Sequence, residues 1–150
     1  MADTLDPWRD TVYEWEDSWP GWGKNHISLK AVKALIAHAC DQYEVPHADV
    51  TQHLERTYSW SRPTTDDISI QGGKHRAKGG RNVATTLHEA AHHIAWHLHG
   101  DRIQDHGRTF LGIYLDLLIR AKVAPRVALE ASARSFKLKW KYDDRHRFTE

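Results

Sequence analysis

A lone cysteine, Cys40, excludes any disulfide within the chain. It falls in an apolar helical pattern, which suits packing rather than nucleophilic chemistry. Long apolar runs are missing too: none approaches the ~20 residues a membrane-spanning helix needs. The opening residues include Asp3, Asp6, Trp8 and Asp10, and no basic stretch leads into an apolar one. No secretory signal is therefore expected, and the expected location is cytoplasmic, with no membrane partner. An excess of one charge is also absent. The chain has 21 basic and 20 acidic side chains, a net of +1, which by itself points to no class of partner. What the chain does have is twelve histidines and seven tryptophans in 150 residues. Hydrophobic residues make up 40% and charged residues 27%, which fits one globular domain over residues 1–150.

Residues 1–23 form a Trp-rich acidic segment. Asp6 and Pro7 suit the start of a helix, and Trp8, Val12, Trp15 and Trp19 recur at helical spacing. This reads as a helix that docks on the core. Ser28 suits the N-cap of a second helix with Leu29, Val32, Leu35, Ile36, Ala39 and Tyr43 on one face, ended by Val45-Pro46. Residues 49–60 are rich in Val, Thr, Tyr and Trp and predict a strand, and Ile68-Ser69-Ile70 predicts a second. Asn82 caps a helix running to about His99, where Gly100 stops it. Phe110 to Ala121 predicts a further amphipathic helix. Pro125 opens a last one, and a basic tail, 137–150, is expected to be poorly anchored. The order predicts an α+β fold: a small, mainly antiparallel sheet packed against helices.

His88-Glu89-Ala90-Ala91-His92 lies within the 82–99 helix. Positions four apart share a helix face, so both imidazoles can reach one zinc ion. Glu89, one residue on, points beside the metal and suits a general base for an activated water. The apolar positions Ala84, Leu87, Ala91, Ile94, Ala95 and Leu98 bury the helix, and buried imidazoles need partners. A catalytic zinc wants a third protein ligand and an open position. His99 shares the face of His88 but stands eleven residues along the helix, ~16 Å away. His93 and His97 are four apart on a different face and read as surface or supporting groups. His106 is the better third ligand, because Gly100 ends the helix and the chain can turn back before the next one.

His88-Glu89-x-x-His92 followed by His106-Gly107-x-x-Phe110 resembles the SprT-like zinc metallopeptidases, over about residues 82–118. The resemblance implies a minimal zincin-like domain, zinc on His88, His92 and His106, and catalysis of peptide hydrolysis by Glu89. It also implies a strand beside the cleft that pairs with an extended peptide substrate. Ile68, Ser69 and Ile70, within 67–71, are the candidate.

Tyr114 and Arg108 are candidate oxyanion stabilisers. Asp101 and Asp105 are candidates to hold the far nitrogen of a ligand histidine. The basic glycine-bounded loop from Gly72 to Arg81, together with the basic tail, could bind nucleic acid. The alternative to an enzyme is a non-catalytic zinc-stabilised module for nucleic acid or protein, with His99 or Asp116 closing the fourth position. Hydrolysis of a non-peptide bond is a third possibility.

Overall fold

The computed structural model describes residues 6–54, 59–72 and 81–148. Five helices and three strands make an α+β fold: α1 (Arg9–Asp17), α2 (Leu29–Gln42), β1 (Asp49–His53), β2 (Trp60–Arg62), β3 (Asp67–Gln71), α3 (Val83–His99), α4 (Arg108–Arg120) and α5 (Arg126–Ser135). No helix among the described residues is long and apolar enough to cross a membrane.

Local chemistry explains the main helix boundaries. The Ser28 hydroxyl accepts from Ala31 N–H at the start of α2, and the Asn82 side chain accepts from Thr85 N–H at 2.7 Å at the start of α3. Gly100 leaves α3 at φ 65°, a conformation that favours glycine. Asp6 and Pro7 do not cap α1 as expected. The helix begins at Arg9, and the Asp6 side chain is engaged elsewhere. The stripe of α1 does dock: Val12 and Trp15 are fully buried, and the Trp15 indole N–H donates to Ser132 Oγ on α5 at 2.9 Å.

The sheet departs from the sequence reading in two ways. Its order is β1-β3-β2, and the five-residue β1–β3 pairing is parallel while the three-residue β2–β3 pairing is antiparallel. The sheet is mixed, not mainly antiparallel. The 49–60 stretch is not one strand either. Its two ends pair with opposite edges of β3, so the chain must cross over between them. Residues 55–58 of that stretch lie outside the described residues, as do 73–80 of the basic loop. Of that loop, Arg81 is described, and its guanidinium donates to Gln52 Oε1 and contacts His26.

α3 is the central helix. α2, α4 and the sheet all pack against it, and its Ala90, Ala91 and Ile94 are buried in the common core with Ile36, Ile68, Ile70 and Leu117. The tail is anchored, contrary to expectation. Leu138 is buried, and Lys141 N–H donates to the Arg108 carbonyl. The Lys141 carbonyl lies so close to Gly112 that a Cβ there would meet it at 1.9 Å. Farther on, Phe148 N–H donates to buried Asp116 at 2.7 Å, and Arg120 donates to the His146 carbonyl. Lys137, Lys139, Lys141 and Arg145 of the tail are exposed, while Arg147 packs over the Tyr142 ring.

Candidate metal centre

α3 presents His88 and His92 one turn apart, and the turn before α4 returns His106 to the same point. Their Nε2 atoms form a nearly equilateral triangle: His92–His88 3.2 Å, His92–His106 3.2 Å and His88–His106 3.3 Å. Tetrahedral coordination with metal–nitrogen bonds of 2.0–2.1 Å sets the nitrogens about 3.3–3.4 Å apart. The three side chains are therefore already spaced to hold one ion.

The proton positions point the same way. His88 Nδ1 is 2.8 Å from Glu16 Oε2, and His106 Nδ1 is 2.6 Å from Asp6 Oδ2. A carboxylate only accepts, so each Nδ1 carries a proton, and each Nε2 presents a lone pair once its ring is neutral. Buried lone pairs converging at 3.2–3.3 Å repel unless a cation lies among them. Two acidic side chains behind the imidazoles would supply the charge that balances a dication. The three histidines could thus hold a metal ion, and no fourth ligand atom joins the group among the described residues.

Aromatic rings fix the imidazoles. Phe110 stacks on His92 at 4.3 Å and meets His88 and His106 at tilted or edge angles. Tyr13 lies parallel to His88 at 5.7 Å. The centre opens onto a cleft of about 910 Å³ lined by residues of α1, α3, β2 and the segment after α3, with Glu89 at its wall.

The titratable groups are strongly perturbed. Burial pushes the Glu89 carboxyl up to about 7; His88 pulls it down and Glu16 adds to the rise. Burial lowers His88, but the carboxylates of Glu16 first, then Glu89 and Asp6, together more than offset it, and the imidazole is raised to about 9. Burial and the neighbouring imidazoles hold His92 well below the usual range. His106 is lowered by burial and by His88, against the pull of Asp6.

The structure brings His88, Glu89, His92 and His106 together at the cleft. Tyr114 is fully buried, and its hydroxyl donates to Glu16 Oε2 at 2.6 Å. It braces the group behind His88 and is not directed at an oxyanion in the cleft. Burial, then Glu16, raises it well above the usual phenol range. Arg108 is exposed at the first turn of α4 and is not part of the cleft wall. Ile68, Ser69 and Ile70 belong to β3, the middle strand, which is paired on both sides, and Ile68 and Ile70 are fully buried. They cannot offer a free edge to a substrate. The strand that borders the cleft is β2, through Trp60 and Ser61. Asp101 and Asp105 line the cleft but are not the groups on the far nitrogens. Asp116 is held by Tyr43, Arg120 and Phe148 N–H, away from the histidines.

Sequence reasoning missed Glu16 and Asp6. One signal for Glu16 was present: it follows Val12 by four residues, at the edge of the stripe that buries α1. No protein-family model, no curated protein and no solved structure matches this chain.

Proposed function

We propose that this chain is a zinc-dependent peptidase of the SprT-like kind. The observation that carries the reading is the triangle of Nε2 atoms, backed by Glu16 and Asp6, beside a buried glutamate on an open cleft. His88, His92 and His106 would hold the zinc, which would supply Lewis acidity to activate a water and polarise a carbonyl.

The remaining work falls to the protein. Glu89 takes the proton of the attacking water and returns it to the leaving amine. A carboxyl pushed up to about 7 by burial can do both near neutrality. Glu89, ionised, would then act as the base. Glu16 and Asp6 keep His88 and His106 in the ligating tautomer. β2, an edge strand on the cleft wall, takes over the role first assigned to Ile68–Ile70. It can pair with an extended peptide through its backbone. Tyr13, which lines the cleft against His88, replaces Tyr114 as the candidate hydroxyl near the reacting carbonyl.

A purely structural zinc site closes its fourth position with a protein ligand. The absence of a fourth ligand in this group among the described residues supports the catalytic reading over the binding module. The test is Glu89→Gln, assayed on unfolded protein and peptide-library substrates with zinc content measured in parallel. Hydrolysis should fall by about 10²–10⁴-fold with zinc retained. Undiminished hydrolysis by the variant rules out Glu89 as the base.

A further inference from the structure

We propose that Asp66, His93 and His97 form a second divalent-metal site, on another face of α3 and separate from the His88–His92–His106 centre. The ligand atoms of these three residues lie within 4.8 Å of one another. His93 and His97 are one helical turn apart, with ring centroids 4.5 Å apart. His97 Nε2–H donates to Asp66 Oδ1 at 2.6 Å, a proton that an incoming ion would displace, and His93 Nδ1 is 4.0 Å from the same oxygen.

The independent observation is the state of His93. Its side chain is 0% exposed. Its Nε2 is 2.7 Å from the Pro46 carbonyl oxygen. A carbonyl can only accept, so Nε2 carries the proton and Nδ1 carries the lone pair. That Nδ1 is buried and has no partner. It is aimed into the group, and a buried acceptor without a donor calls for an occupant.

The frame is set in advance of any ion. Asp66 occupies the turn before β3 at φ 54°, and its carbonyl accepts from Asp49 N–H at 2.6 Å. The Asp66 and His97 side chains are 45% and 18% exposed, so an ion can enter from solvent and water can complete its shell. Two imidazoles and one carboxylate favour a borderline first-row dication such as zinc, cobalt or nickel over magnesium or calcium. Bound there, the ion cross-links the helix that carries His88, Glu89 and His92 to the start of β3. It acts as a staple between the active-site helix and the sheet, and takes no part in hydrolysis.

The test counts metal. Wild type, Asp66→Asn and His97→Gln are dialysed against buffered Zn(II), and zinc per chain is read by mass spectrometry. Asparagine suits the left-handed turn at position 66, so that variant keeps the backbone. Both substitutions should remove one equivalent and abolish the rise in melting temperature that the last equivalent gives wild type. The same comparison is made in a His106→Ala background, which disables the first centre. A drop of one equivalent without Asp66, in either background, upholds the second site whatever becomes of the first. An equal count with and without Asp66 and His97 overturns it and leaves a water donating to His93 Nδ1 as the occupant.

Discussion

Replacing Glu16 by glutamine should change zinc affinity in opposite directions at two pH values. Glu16 does two things to His88. It orients the ring through Nδ1 at 2.8 Å, and its charge helps raise the imidazole to about 9. The first favours the metal; the second favours a competing proton. At pH 7, an imidazole of pKa about 9 is neutral about once in a hundred times, which weakens metal binding on the order of 100-fold. At pH 9 that factor is only about twofold. In Glu16→Gln the largest influence raising His88 is lost, while those of Glu89 and Asp6 remain against burial, so the competing proton is held far less tightly at pH 7. The intrinsic affinity meanwhile falls by about 10–100-fold, the usual effect of losing a partner behind a ligand histidine. Glutamine at pH 7 should therefore bind zinc as well as wild type, or up to about tenfold more tightly. At pH 9 it should bind about 5–50-fold more weakly. Competition against a chromophoric chelator across pH 7–9 measures both. An affinity ratio that does not move with pH refutes the reasoning, because Glu16 would then have no hold on the protonation of His88.

Other perturbations follow from the packing. Trp15→Ala should cost about 3–5 kcal/mol and, because Trp15 seats the helix that carries Glu16, should weaken zinc binding as well; melts with and without zinc read both. Gly112→Val puts side-chain atoms where the Lys141 carbonyl lies. It should destabilise by about 1–3 kcal/mol while the zinc content of the folded protein stays unchanged. Tyr43→Phe takes one of three donors from buried Asp116. A loss of about 1.5–3 kcal/mol should appear in urea denaturation, with increased proteolysis of the segment after Leu138.

The parts of the fold that could be read in advance are those fixed by neighbours in sequence. Asn82, the 3.6-residue rhythm of α3 and Gly100 are local signals, and they place His88, Glu89 and His92 on one buried helix. His106 followed from one further step, a turn back after a known helix end. Pairing between distant segments left no such trace. β1 and β2 look alike as strands, and which edge of β3 each takes depends on how the chain crosses between them. The acids behind the ligands were hidden for the same reason. Glu16 is 72 residues from His88 and Asp6 is 100 from His106, whereas Asp101 and Asp105 were nearby in sequence and lie in the cleft without touching the far nitrogens. The buried place of Tyr114 suits its apolar helix, but its bond to Glu16 could not be read in advance, because that group belongs to α1. The tail looked unanchored because its ties run from backbone atoms of residues 141–148 to α4, and backbone atoms have no signature in sequence.

The span of the Trp15–Ser132 contact, 117 residues, has a consequence for how the protein matures. Helix α1 can meet its partner α5 only after the chain has been made as far as Ser132, 117 residues beyond Trp15. Contacts of such high order form slowly and late in folding. During synthesis the acidic face of that helix and the histidines of the later hairpin are both present but apart. The candidate metal centre is thereby completed, with Glu16 behind His88, only when α1 has met α5.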